Sequence, residues 1–186
     1  MNKILIGVSA PNNPTSKIAI AQLAETFNVE HISMRQPLIN MIAQLTCMDP
    51  FAQEFYCPQQ AIIEHLGVSI AELEISLGFT FRTIKSDFFI QRCAESIALS
   101  NSGLNGQLFS GQIISGIKSE LEAQWLRDQG GHMMHLYQYD DHHHHHPLHE
   151  VEGDHVCIID TPTDTPNLIE IIAKLREKIF PAKQVA

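Results

Sequence analysis

Residues 7–17, GVSAPNNPTSK, decide which fold class the sequence indicates. They follow an apolar run, KILIGV at 3–8, and precede an amphipathic run, IAIAQLAETF at 18–27. A buried strand, a loop with small and polar residues, and Ser-Lys at the start of a helix form the usual setting of a phosphate-binding loop. This loop has two asparagines and two prolines where such loops have glycine. It is therefore a working phosphate loop, a degenerate one, or only a turn.

Length and composition limit the class of protein. A chain of 186 residues suits one domain with a sizeable core. No apolar run reaches the roughly 20 residues that span a bilayer, and the first residues lack the features of a signal peptide, so we predict a cytoplasmic protein that does not bind membranes. The formal net charge of −9 argues against bulk binding of nucleic acid. Four scattered cysteines predict reduced core thiols: Cys47, Cys57, Cys93 and Cys157.

The hydrophobic pattern alternates between apolar runs, typical of buried strands, and stripes at helical spacing. Strands are predicted at 3–8, 29–34, 108–114, 132–139 and 156–160. Helices are predicted at 18–27, 38–45, 58–66, 69–77, 82–99, 118–129 and 166–179. This alternation predicts a three-layer α/β domain with a mainly parallel sheet of about five strands, in which residues 3–8 do not form an edge. The middle of the chain, residues 36–100, looks purely helical, which predicts a helical insertion over the C-terminal edge of the sheet, where ligands bind in such folds.

Local signals set several helix ends. We expect Thr15 or Ser16 to cap the first helix. Gly67 and Gly78 are expected to end the two short helices of the middle region, and Gly130 with its neighbour to end the helix at 118–129.

Four segments together resemble the P-loop nucleotide kinases, most of all the phage-type deoxynucleoside monophosphate kinases. They are GVSAPNNPTSK at 7–17, LGFTFR and KSDFF within 77–89, SGIKSELEAQWLRDQGGHMMHL at 115–136, and HPLHE with IIDTPTDTPNLIEII within 146–172. The third is the best match, because it keeps a Glu-Ala helix and a Gly-Gly pair before a strand. The resemblance covers nearly the whole chain, although each motif is degenerate. It implies one P-loop kinase-like domain over residues 1–186, with 36–100 on the substrate side.

The resemblance also implies ligands and site residues. ATP and Mg²⁺ would bind at the phosphate loop, a deoxynucleoside monophosphate would be the small-molecule partner, and a homodimer is compatible with this reading. The implied cofactor-binding residues are Gly7, Ser9, Asn12, Asn13, Thr15, Ser16 and Lys17, and Lys17 and Arg82 are the implied catalytic residues.

Two ways of counting the loop remain open. Counting from Gly7 puts Asn12, Asn13 and Pro14 at the final Gly, Lys and Ser/Thr positions of G-x-x-x-x-G-K-[ST]. Counting back from the helix puts Lys17 near the catalytic position, with a loop about four residues longer than usual. In both cases the hydroxyl that binds magnesium is missing at its position. A simple helix start, with Lys17 solvated in its first turn, is the alternative.

Other family positions also depart from the pattern. In the segment that resembles Asp-Val-Arg, Gly116 falls at the aspartate and Lys118 at the arginine, whereas Glu122 matches the family's glutamate. Glu120 and Glu122 are otherwise expected on a solvated face. Arg82 either contacts a monophosphate or forms an ion pair with Asp87 or Glu72.

A histidine run lies in residues 140–150, DDHHHHHPLHE. Imidazole is a good ligand for Zn and Ni, so we predict that this loop binds such an ion. The predicted ligands are His142, His143, His144, His145, His146 and His149. A polar loop expansion without biological metal is the alternative. His132 and His135 are predicted to be structural residues of a strand.

Three functions are therefore compatible with the sequence: a deoxynucleoside monophosphate kinase with an unusual loop, a relative that keeps the fold and binds a nucleotide or a protein without catalysis, and a metal-binding protein. The residues favour the second over the first, because the glycines, hydroxyl and carboxylate of the family pattern are replaced.

Overall fold

The computed structural model describes residues 4–50, 62–63, 65–102, 109–138, 148, 151–152, 154–159 and 165–179. The chain divides into two compact units, one of Met1–Ile32 with Asn105–Ala186, and one of Ser33–Leu104. The second unit nearly coincides with the helical insertion expected from the sequence. The extent of a single kinase-like domain stays a prediction.

The elements alternate between strands and helices along most of the chain. In order they are β1 (Ile4–Ser9), α1 (Pro14–Phe27), β2 (Glu30–Ser33), α2 (Gln36–Thr46), β3 (Ile62–Ile63), β4 (Val68–Ser69), α3 (Ile70–Ile84), α4 (Phe88–Asn101), β5 (Gly111–Ser115), α5 (Glu120–Asp128), β6 (His132–Gln138), β7 (His155–Ile159) and α6 (Thr165–Ile179).

The first unit contains a five-stranded, all-parallel sheet in the order β2-β5-β1-β6-β7. The central strand is β1, which pairs with β5 through Ile6 and Ile113 and with β6 through Val8 and Met134. Parallel strands are covered on both faces, so continuous apolar runs such as residues 3–8 are typical of them. The predicted α/β class, the number of strands and the interior position of β1 are confirmed.

One face of the sheet packs against α1 and α6. Ile6 and Val8 of β1 are fully buried there and cluster with Leu23 of α1 and Leu175 of α6. Burying a side chain of this size contributes about 1.5–3 kcal/mol. This cluster packs α1 against the face of the sheet that contains the Ile6 and Val8 side chains.

The other face packs against α5, and Gly7 makes this contact close. A Cβ atom on Gly7 would lie 2.6 Å from Leu126 Cδ1 and 2.7 Å from both Ile117 Cδ1 and Met133 Sδ. The glycine therefore lets α5 approach the centre of the sheet. Helices on both faces complete the predicted three layers.

In the second unit, the predicted break at Gly78 is wrong. The helix α3 continues through this residue to Ile84. It begins at Ile70 after the N-cap Ser69, whose capping box with Glu72 satisfies two helix-terminal groups. Gly78 is buried, and a Cβ atom there would lie 3.4 Å from Leu38 Cδ1 of α2. Close packing of two helices, rather than a helix end, accounts for this glycine.

The predicted helix at 82–99 is also wrong at its start. The chain leaves α3 at Lys85, in an extended conformation, and α4 begins only at Phe88. The rings of Phe81 and Phe88 stack with centroids 4.8 Å apart, so an aromatic contact joins the two helices across the turn.

The middle region is not purely helical, because β3 and β4 form a short antiparallel hairpin. Ile62 and Ile63 are therefore strand residues within the predicted helix 58–66, and Gly67, with φ of +65°, lies in the turn. The expected core thiols are confirmed only for Cys93. Cys47 is exposed at the C-terminal end of α2, and the side chains of Cys57 and Cys157 lie outside the described residues.

Candidate functional site

The strand order of the first unit brings together the carboxyl ends of β1 and β5, the place at which open α/β sheets have their ligand-binding crevice. The chain leaves β1 through α1 towards β2 on one side of the sheet, and it leaves the neighbouring β5 through α5 towards β6 on the other side. Adjacent strands whose connections run in opposite directions form a topological switch point, where open α/β sheets bind ligands. Residues 10–13 and 116–119 form the two loops at this point.

A side chain of the loop after β1 caps the N-terminal end of α1. Asn13, not Thr15 or Ser16, is the N-cap of α1, and its Oδ1 accepts a hydrogen bond of 2.8 Å from the Ser16 N–H. The Lys17 N–H donates to the Asn13 carbonyl at 3.2 Å. Pro14, the first helical residue, has no N–H to offer. Thr15 thus retains the one N–H of the first turn that these contacts leave for an anion.

The sequence-predicted phosphate-loop residues lie at or near this loop, with one exception. Ser9 is fully buried at the end of β1, and its hydroxyl donates to the Ile117 carbonyl at 3.2 Å. Asn12 and Thr15 are partly exposed beside the cap, and Lys17 is the fourth residue of α1. Gly7 lies inside β1, three residues before the loop begins. The contact of these residues with a nucleotide stays a prediction.

The loop after β5 contributes a second cation. Lys118 is exposed, and its Nζ donates to the Ala10 carbonyl at 3.1 Å. Its backbone N–H and that of Ser119 donate to the Glu122 carboxylate at 2.8 and 3.1 Å. Gly116, with φ of +80°, allows the sharp turn that leads into this arrangement.

The expected solvated face at Glu122 is wrong, because this carboxylate is fully buried. It forms a capping box with Ser119 at the start of α5 and holds the preceding loop by backbone hydrogen bonds. The pattern Ser-x-x-Glu at 119–122 was the sequence signal for this role. Glu120 has a half-exposed side chain, which agrees with its predicted face.

An imidazole lies beside the end of β5. His31 Nε2 is 2.8 Å from Ser115 Oγ, the last residue of that strand. Burial lowers the pKa of His31 below its ordinary value of 6.5. The ring is therefore neutral at pH 7 and adds no positive charge to this end of the sheet.

The residues at the crevice do not fit the Mg²⁺ that the resemblance implies. Counting from Gly7, Pro14 stands where a hydroxyl would bind the ion, and Gly116 stands where the carboxylate would. Ser16 is 4% exposed, and Glu122 is committed to backbone N–H groups.

Arg82, the predicted substrate-side cation, belongs to the second unit. Its guanidinium carbon lies 4.5 Å from the centre of the Phe89 ring, and its Nη1 is 3.4 Å from the Gly78 carbonyl. Its predicted ion-pair partners have other contacts, since Glu72 caps α3 and Asp87 accepts a hydrogen bond from Gln91. Contact of Arg82 with a monophosphate stays a prediction.

A groove of about 220 Å³ lies within the second unit, between the start of α2 and α4. Its lining is mixed and includes five polar or charged side chains from α2 and α4: Gln36, Asn40, Arg92, Glu95 and Ser96. It is smaller than the roughly 300–1,000 Å³ of typical small-molecule pockets, so we assign no ligand to it.

The predicted metal ligands at 142–146 and 149 lie outside the described residues. Asp154, the residue before β7, is described. Its carboxylate accepts hydrogen bonds from Arg127 Nη2 at 2.6 Å and from the Val151 N–H at 3.1 Å, and it lies 3.0 Å from Nε2 of the fully buried His135. His135 thus has the structural role expected of it.

Burial alone would raise the pKa of Asp154. The hydrogen bonds from Arg127, His135 and Val151, together with the charge of Arg127, hold this pKa below its ordinary value of 3.8. Asp154 is therefore a carboxylate at neutral pH that fixes the segment before β7 to α5 and β6. Among the described residues, no group of three or more His, Cys, Asp or Glu side chains is placed to hold a metal ion.

The chain matches no protein-family model, and no curated protein is significantly similar to it. No helix in the described part of the chain is both long and apolar enough to cross a membrane. The resemblance to the nucleotide kinases therefore stays a prediction from the sequence motifs.

Proposed function

We propose that the protein binds a nucleotide by its phosphates at the crevice between the ends of β1 and β5, and that it transfers phosphoryl groups poorly or not at all. In this proposal the protein is a relative of the P-loop nucleotide kinases that has kept the fold and a weak phosphate site but has lost efficient catalysis.

The observation that carries the proposal is the position of the loop at residues 10–13. It follows the central strand of a parallel sheet, lies at the topological switch point and leads into a 14-residue helix. The N-terminus of such a helix carries a partial positive charge that favours phosphate. The exposed ammonium of Lys118 adds a full charge at the same loop.

The same loop explains why turnover should be low. A working phosphate loop offers several inward-pointing N–H groups, a lysine on the β- and γ-phosphates, and a hydroxyl and a carboxylate for Mg²⁺. Here the Asn13 side chain and carbonyl take the N–H groups of Ser16 and Lys17, and Pro14 has none. We therefore expect a dissociation constant of about 1 mM for a polyphosphate, equivalent to about −4 kcal/mol.

Thermal unfolding with increasing ATP or tripolyphosphate tests the binding. A ligand at 100 times its Kd stabilises the folded state by about 2.7 kcal/mol, so millimolar binding gives a rise in Tm that depends on concentration. Adenosine, which lacks phosphate, and sodium chloride at equal ionic strength are the controls and should give a much smaller rise. Equal shifts with adenosine and ATP, or no shift with either polyphosphate, would contradict the proposal.

A further inference from the structure

Lys118 is held at the crevice by contacts that fix both ends of the residue. The buried Glu122 carboxylate accepts its backbone N–H at 2.8 Å, and the Ser9 hydroxyl ties the adjacent Ile117 carbonyl to the end of β1 at 3.2 Å. From this fixed backbone the side chain reaches the opposite loop, where Nζ lies 3.1 Å from the Ala10 carbonyl. Its ammonium is thus placed above the loop after β1 rather than sampling the surface at random.

Lys17 has a different relation to this loop. It is the fourth residue of α1, and its backbone N–H donates to the Asn13 carbonyl. A lysine that acts on a phosphate needs its ammonium at the loop, whichever strand supplies the side chain. The sequence spacing favours Lys17 for this role, whereas the contact with Ala10 favours Lys118.

We propose that Lys118, supplied by the loop after β5, is the cation that contacts the nucleotide phosphate at this site. The assignment rests on the proposed function and adds to it the residue that supplies the charge. Its ammonium already lies at the loop after β1, where it donates to the Ala10 carbonyl. A phosphate at the N-terminal end of α1 would receive a charge-assisted hydrogen bond from it, which is roughly twice as strong as a neutral one.

Binding of tripolyphosphate, measured by calorimetry on the full chain, tests the assignment. In Lys118→Gln the amide can still donate to the Ala10 carbonyl, so the link between the loops is kept while the charge is lost. We expect this variant to bind about tenfold more weakly than the wild type. Lys85→Gln removes the same charge elsewhere in the chain and should bind within about threefold of the wild type. Lys17→Gln tests the competing assignment of the cation.

The outcomes separate this assignment from the proposed function. If the wild type binds and Lys118→Gln binds equally well, Lys118 is not the contact, although the site stands. If Lys17→Gln loses the affinity instead, Lys17 is the cation and the assignment is overturned. If the wild type itself does not bind tripolyphosphate or ATP, the proposed function fails and the assignment fails with it.

A urea unfolding curve checks that Lys118→Gln is folded. Lys118→Arg, which keeps the charge, should retain most of the affinity even if the amide variant is unstable.

Discussion

The Asn13 side chain occupies the N-terminus of α1, since its Oδ1 accepts the Ser16 N–H at 2.8 Å. In a phosphate-binding loop the ligand takes such N–H groups. Here the Asn13 side chain already accepts the hydrogen bond of this N–H, so an incoming phosphate must compete with it. This contact is the structural basis for expecting weak binding at the end of β1.

Removing the cap should destabilise the protein. Asn13→Ala deprives the Ser16 N–H of its acceptor, and loss of an N-cap typically lowers the free energy of unfolding by about 1 kcal/mol. Asn13→Asp keeps a cap acceptor at the same position and should unfold within about 0.5 kcal/mol of the wild type. Urea unfolding curves measure both. Equal stability of the alanine variant and the wild type would show that the cap is energetically unimportant.

Freeing the helix N-terminus should strengthen phosphate binding. Asn13→Gly costs only a few tenths of a kcal/mol as a cap but leaves the Ser16 N–H available to a ligand. We expect it to bind tripolyphosphate several-fold more tightly than the wild type, by calorimetry, since a hydrogen bond to a charged group contributes about 1.5–3 kcal/mol before competing terms. Asn13→Asp, which adds a negative charge, should bind less tightly. Weaker binding by the glycine variant would exclude competition between cap and ligand.

Substitution of Gly7 separates packing from ligand binding. In Gly7→Ala the new Cβ meets Leu126, Ile117 and Met133 at 2.6–2.7 Å, so these side chains must move. Overpacking of this kind costs about 1–3 kcal/mol of stability. Because Gly7 lies within β1, we expect the Kd for tripolyphosphate to change less than about twofold, which is under 0.5 kcal/mol. A large loss of affinity with unchanged stability would show that Gly7 acts in phosphate binding.

Acid should destabilise the protein through Asp154. Its pKa is depressed in the folded state, so its stabilising contribution is fully present above the ordinary value of 3.8 and is lost as the pH falls through the lower folded pKa. The free energy of unfolding should therefore fall more steeply below about pH 4 in the wild type than in Asp154→Asn. At neutral pH this variant should lose about 1–3 kcal/mol, because Arg127 loses the nearer of its two charged partners and keeps only Glu120 at 3.9 Å. Parallel curves for the two proteins across the acid range would contradict this role.

The histidine run predicts metal binding that does not depend on the binding of a nucleotide. We expect at least one Zn or Ni ion to bind with micromolar-range affinity and to be lost when His142, His143, His144, His145 and His146 are replaced by Ala. Binding should weaken below about pH 6, because imidazole must be neutral to ligate and its free pKa is about 6.5. His65→Ala, at an exposed histidine of the second unit, is the matched control and should bind as the wild type. Calorimetry at about pH 7.5 with no heat from either metal would remove the prediction.

The strands of the sheet could be predicted because buried parallel strands leave continuous apolar runs, as at residues 3–8, whose position depends little on tertiary detail. The continuation of α3 through Gly78 and the start of α4 at Phe88 could not be predicted. They depend on the contact of α3 with Leu38 and on the stacking of Phe81 on Phe88, which no local pattern encodes. Local propensity and tertiary packing compete at such places, and packing prevails.

The location of the candidate site could be predicted from the sequence, but the contacts of its residues could not. Asn13 could have been chosen as the cap, since Pro14 favours the first helical position, but Thr15 and Ser16 are equally suitable by residue type. The contact of Lys118 with Ala10 joins residues 108 positions apart and becomes visible only once β5 lies beside β1.

The rate of phosphoryl transfer tests the central claim most directly. A coupled assay with ATP, Mg²⁺ and each deoxynucleoside monophosphate should give a turnover far below the roughly 1–100 s⁻¹ of kinases, in a preparation that binds tripolyphosphate. Turnover of several per second, abolished by Lys17→Ala, would show that the loop at residues 10–17 is a working variant and would contradict the account.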